Sequence, residues 1–226
     1  MKKKVIKKKV TKSNDGFGKE TLINMVLDET GSMEICRDAT ISGFNEYIEA
    51  LKKRKEKILF TLTKFDSRGI KLVCNSIRMA DVQKLSRDTY VPGEMTPLYD
   101  AIAHTIKETE NWVKIRKDIA VLTVIMTDGE ENASRQYTRD KIFQLIKDKE
   151  KDGWTFVFLG ANQDAWAIGQ AIGLHKGNVM SYDVNKTSST FKGLVSNTSC
   201  YLAANSPGNY TNFMEDRSGE DDKYKV

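Results

Sequence analysis

Four short apolar runs recur along the chain, each closed by small polar residues: Leu22–Leu27, Ile58–Leu62, Ile119–Met126 and Trp154–Leu159. Runs of this length, rich in β-branched and aromatic residues, suit strands buried on both faces of a parallel sheet. Between them, apolar residues recur three and four apart among charged ones, at about Ile41–Lys55, Leu98–Ile115, Thr138–Lys149 and Asp164–Ile172. Strands alternating with helices of this size predict an α/β fold: a doubly wound, mostly parallel sheet with helices on both faces. Asp66-Ser-Arg-Gly69 separates two strand-like runs, Ile58–Phe65 and Ile70–Ile77. That hairpin signal predicts one antiparallel edge strand. Asn178–Val184 reads as a last short edge strand. Thr187–Ala204 reads as a last helix, with Phe191, Leu194, Val195, Tyr201 and Leu202 on one face.

The two ends differ from this middle. Residues 1–18 read as a basic arm and linker, 19–204 as the domain, and 205–226 as a disordered tail, polar and without periodicity. The chain has a formal net charge of +5, but residues 1–12 hold seven lysines and no acid, which leaves −2 for the rest. Summed this way, the folded part gives no argument for nucleic acid, and such a partner is expected only through the lysine arm. No apolar run reaches the roughly 18 residues of a membrane span, so no membrane partner is expected. The start is too basic for a signal core, and Cys36, Cys74 and Cys200 form no Cys-x-x-Cys pair. Both features lead to the expectation of a cytoplasmic protein without disulfides or a zinc knuckle.

In open α/β sheets, ligands bind at the carboxyl ends of strands, beside a switch in strand order. The residues that directly follow the buried runs are Asp28-Glu-Thr-Gly-Ser32, Thr127-Asp128-Gly129 and Gly160-Ala-Asn-Gln163. Thr96-Pro97 opens the Leu98 helix, with Thr96 at the N-cap position and Pro97 in the first turn. Asp28, Thr30, Ser32, Thr96 and Asp128 thus offer two carboxylates and three hydroxyls, with no imidazole or thiolate. An oxygen-only set favours Mg²⁺, with Mn²⁺ or Ca²⁺ as alternatives, over zinc or copper. Gly160-Ala161-Asn162 lacks the Gly-x-Gly-x-x-Gly pattern and reads as a tight strand-to-helix turn.

Asp28-Glu29-Thr30-Gly31-Ser32 resembles the Asp-x-Ser-x-Ser signature of von Willebrand factor type A domains, and Thr96 and Thr127-Asp128-Gly129 match its two other parts. The resemblance covers roughly Leu22 to Val184 and is closest to the small stand-alone type A domains of bacteria and their phages. It implies a metal-ion-dependent adhesion site: Thr30, Ser32 and Thr96 as direct ligands, with Asp28 and Asp128 acting through bound water. Thr30 departs from the pattern, since serine is usual there, but its hydroxyl oxygen is kept. The resemblance also implies a function without catalysis, in which a partner protein's Asp or Glu carboxylate fills the open position of the cation. Two other classes compete with it. Mg²⁺ and the lysine arm could hold nucleic-acid or nucleotide phosphates. Asp28-Glu-Thr also resembles the Asp-x-Asp-x-Thr start of haloacid-dehalogenase-like phosphohydrolases, where Thr30 stands in place of the second aspartate.

Overall fold

The computed structural model describes residues 20–116, 119–161, 165–204 and 210–214. In chain order these form β1 (Glu20–Asp28), α1 (Arg37–Lys52), β2 (Ile58–Asp66), β3 (Gly69–Arg78), α2 (Leu98–Val113) and β4 (Ile119–Thr127). There follow α3 (Arg139–Lys151), β5 (Thr155–Ala161), α4 (Ala165–Ala171), β6 (Val179–Tyr182) and α5 (Thr187–Ala203). The sheet runs β3-β2-β1-β4-β5-β6. All neighbours pair in parallel except β3, which returns antiparallel beside β2. The expected doubly wound sheet with one antiparallel edge strand is therefore present.

Continuous burial explains the continuous apolar runs. In β1, Ile23, Met25 and Leu27 face the layer of α1 and α5, where they meet Phe44, Tyr47, Phe191 and Leu194. Val26 faces the other layer, with Ile102 and Ile106 of α2 and Ile142 and Ile146 of α3. Edge strand β3 instead alternates between half-buried and exposed residues. Its pairing slips between Phe60 and Thr63, and Ser76 takes a left-handed φ of 51°. Such a bulge bends an edge away from further pairing.

Most element ends shift by a few residues from the sequence reading, and two differences have a structural cause. The first helix starts at Arg37 rather than Ile41, because the loop leaving β1 winds through a 3₁₀ turn, Gly31–Cys36, directly into it. The tail is not uniformly unstructured: residues 210–214 dock on the domain, with Phe213 buried and its ring and that of Tyr210 packed against Tyr201. The Tyr210 N–H donates to Thr155 Oγ1 (3.0 Å) and the Phe213 N–H to Asn178 Oδ1 (2.9 Å). Two aromatics in a polar stretch carry no periodicity, so the docking left no pattern to read. The basic arm, residues 205–209 and 215–226, and the Asn162–Asp164 turn lie outside the described residues. Cys36, Cys74 and Cys200 are all free thiols.

Helices α1 and α5 approach closely because Gly43 presents no side chain to Phe191. A Cβ at Gly43 would lie 2.6 Å from Phe191 Cγ. Overpacking of this kind costs about 1–3 kcal/mol. Gly43→Ala should therefore lower the urea midpoint with little change in slope. Combined with Phe191→Leu, it should cost less than the two single losses added together. Additive losses would mean that the helices have room to part.

Candidate metal centre

Strand β1 borders β2 on one side and β4 on the other, so strand order reverses at β1 and a crevice opens at the carboxyl ends of β1 and β4. Asp28, the last residue of β1, stands in that crevice and is fully buried. Its Oδ1 accepts the Thr30 N–H (2.7 Å), its Oδ2 accepts the Thr127 hydroxyl, and its carbonyl accepts the Tyr90 hydroxyl (2.6 Å). One residue thereby ties the ends of two strands to the loop before α2.

The hydroxyls gather beside it. Thr30 Oγ1 and Ser32 Oγ lie 3.2 Å apart, and the Ser32 hydroxyl donates to Asp128 Oδ1 (2.6 Å). Thr96 arrives from a separate segment. A Cβ built on Gly129 would sit 2.9 Å from Thr96 Oγ1 and 3.3 Å from Ser32 Oγ, so these two oxygens converge on space that only glycine leaves open. All five residues singled out in the sequence come together here. Among the described residues no three His, Cys, Asp or Glu side chains form a group fit for a metal. The donor set is hydroxyl-rich with two carboxylates, which fits a hard divalent cation and suits zinc poorly.

The N-cap reading of Thr96 is corrected. Pro97 occupies the cap of α2 and no side chain caps from that position. Glu131 accepts the Tyr99 N–H (2.9 Å) instead, Ser134 Oγ accepts that of Asp100 (3.1 Å), and the Asp100 carboxylate accepts N–H groups of Arg135 and Tyr137 (both 2.8 Å). The loop after Gly129 thus does the capping, and the Thr96 hydroxyl is spared for the crevice. Thr96 is held by its backbone. Its N–H donates to Asn132 Oδ1 (2.8 Å), and its carbonyl accepts the Asn132 N–H (3.1 Å). Glu94 nearby takes a left-handed φ of 65°, fixed by the Gly31 N–H donating to its carbonyl (3.1 Å).

Sequence reasoning passed over Tyr90, Asn132 and Glu131 and gave Thr127 no role beyond its place in the third motif, because these roles depend on contacts far apart in the chain. It also passed over a buried ion pair: Lys64 Nζ donates to Glu29 Oε1 (2.6 Å) and to the Thr89 carbonyl, while the Val91 N–H donates to the same Glu29 oxygen (2.7 Å). The pair clamps the 89–91 segment over the crevice. Its one legible signal was a lysine inside an otherwise apolar strand. Burial pushes the Asp28 carboxyl up to about 6 against the opposing pull of its hydrogen bonds with Thr127 and Thr30. Burial also raises Asp128, against its hydrogen bond from Ser32.

By sequence, no family model and no curated protein matches the chain. By structure it is similar to proximal thread matrix protein 1 from the mussel byssus, with a TM-score of 0.60 at 18% identity over 81% of this chain and 49% of that one. A second crystal form of that protein gives 0.58 at 14% identity, covering 79% of this chain and 46% of that one. The chain has a von Willebrand factor type A-like fold. The manganese-loaded TRAP protein of Plasmodium vivax is similar too, with a TM-score of 0.52 at 16% identity over 78% of this chain and 74% of that one. This chain spans about half the length of the mussel protein. In the type A-like frame, the five oxygen donors sit at the switch point of the sheet.

An acid whose folded value is raised keeps its proton in the native state after the unfolded chain has lost it, so stability falls as pH rises through that window. For Asp28 the window runs from its ordinary value near 3.8 to about 6. Without divalent cations, the urea midpoint of the protein should therefore fall between pH 4 and pH 6.5. Asp28→Asn should flatten that fall and be the more stable protein at pH 7, by on the order of 2–3 kcal/mol. An equal fall in both proteins would remove Asp28 as its cause.

Proposed function

We propose that this protein is a metal-dependent protein-binding module, in which the crevice holds Mg²⁺ or a similar hard cation that accepts an Asp or Glu carboxylate of a partner protein. The observation that carries this reading is the convergence of Thr96 Oγ1 and Ser32 Oγ on the open space over Gly129. Thr30, Ser32 and Thr96 would bind the ion directly, and Asp28 and Asp128 would act through water. Three neutral hydroxyls leave a divalent cation under-neutralised, so an incoming carboxylate gains strong attraction. Exposed apolar side chains stand beside the donors: Ile35, 75% exposed, is three residues past Ser32, and Met95, 51% exposed, adjoins Thr96. Apolar rims of this kind serve protein contacts, and a phosphate site has little use for them. The manganese-loaded state of a neighbour in fold supports the choice of ion. Kinship with stand-alone bacterial or phage type A proteins and a cytoplasmic setting are parts of the same proposal. Among the described residues no helix is long and apolar enough to cross a membrane.

We also propose that the module is not an enzyme, because among the described residues no further base or nucleophile is positioned beside the proposed ligands for attack on a bound substrate. Titration calorimetry with Mg²⁺ or Mn²⁺ should show one site in the wild type and none in Thr96→Ala or Gly129→Ala. The first variant deletes a donor without changing charge, and the second fills the space between donors. Identical titrations in all three proteins would sink the site. Metal-dependent turnover of a phosphoester panel, lost in Asp28→Asn, would replace binding by hydrolysis.

A further inference from the structure

The net −2 of the chain past its lysine arm conceals a segregation of charge. The carboxyl edge of the sheet carries Asp28, Glu94, Asp128, Glu130 and Glu131. At the opposite edge, about 26 Å away along β1 at 3.3 Å per residue, the end of α1 and the loop to β2 read Lys52-Lys-Arg-Lys-Glu-Lys57, five bases to one acid. The Thr21 N–H donates to the Lys57 carbonyl (2.9 Å), which fixes this loop at one side of the start of β1. On the other side, Arg116 in the loop after α2 pairs with Glu20 (2.8 Å) and lies 4.0 Å from the ring centroid of Trp112. The acids of this edge are largely spoken for, Glu56 by Arg54 and Glu20 by Arg116. Lys53 and Lys55, just past α1, and Lys114, just past α2, stand exposed at this edge, on the two faces of the sheet that flank the β1 start.

We infer that this amino edge of the sheet binds the phosphate backbone of nucleic acid, independently of the metal centre. Exposed ammonium groups on two loops that bracket one edge, with a guanidinium on a half-buried tryptophan beside them, are suited to hold phosphates without reading sequence. An anionic bilayer is the lesser fit: Ile115 is the one large apolar side chain of this edge that is mostly exposed among the described residues, and electrostatic attraction with a single apolar anchor gives weak insertion.

The test is fluorescence anisotropy of a labelled oligothymidylate of about 20 nucleotides with the full chain in EDTA, as salt is varied from about 50 mM upward. The wild type should bind. Lys53→Glu/Lys55→Glu/Lys114→Glu, with the arm intact, should bind about tenfold more weakly or worse, with a log–log salt slope shallower by about 2. A charge-matched triple toward the carboxyl edge, Lys141→Glu/Lys186→Glu/Lys192→Glu, should bind far closer to wild type. Melting temperatures of all three proteins exclude misfolding as the cause. The inference fails if the wild type does not bind at low salt, or if both triples lose affinity alike. It fails equally if the first triple keeps wild-type affinity, or if phosphatidylserine vesicles bind the wild type and oligothymidylate does not compete.

Discussion

A single buried carboxylate organises the carboxyl edge of this sheet. Asp28 ends β1 fully buried, where an unpaired charge would be ruinous, and its environment answers with the Thr30 N–H and the Thr127 hydroxyl. Those bonds decide where the first motif turns and how β4 ends beside it. Tyr90 closes the third side through the Asp28 carbonyl. With the strand ends fixed, Thr30, Ser32 and Asp128 fall into one hydrogen-bonded row. The group still sits poorly, since burial holds its titration up at about 6 in spite of those bonds.

Around that centre the loops are arranged by exchange of roles. Thr96-Pro97 has the local look of a helix start, yet the capping of α2 is done by Glu131 and Ser134 from the loop after Gly129. The same loop supplies Asn132, which holds the Thr96 backbone in place. The Glu29–Lys64 pair does comparable work on the other flank, pinning 89–91 to β1 and β2. Buried pairs of this sort contribute little net stability but penalise alternative loop positions heavily. The crevice is thus floored by strands and walled by loops whose backbone polar groups are consumed in fixing one another.

The strands were legible because burial on both faces writes an uninterrupted apolar run into the chain, and the helices because burial on one face writes a period near 3.6. The five donors were legible because each follows a strand or precedes a helix, where an α/β sheet exposes its polar residues. Thr127 was in view as part of its motif, but nothing local marks its hydroxyl as the donor to Asp28, 99 residues away, and Glu29 was hidden inside the motif that overshadowed it. The docking of Tyr210 and Phe213 was illegible because its partners, Thr155, Asn178 and Tyr201, come from three different elements.

The sequence by itself determined the α/β class, the antiparallel edge strand and the residue types gathered at the site, since all are local consequences of which side chains avoid water and which hydroxyls or carboxylates follow a strand. Tertiary structure alone decided that Thr96 serves the crevice and not its helix, because that depends on a competing cap more than thirty residues further along the chain. It alone also decided the charge asymmetry. Summation along the chain cancels Lys53, Lys55 and Lys114 against Asp28, Glu94 and Asp128, whereas the parallel strands carry the two groups to opposite edges. At a separation of several screening lengths, charges act on the surroundings of their own edge and barely on one another.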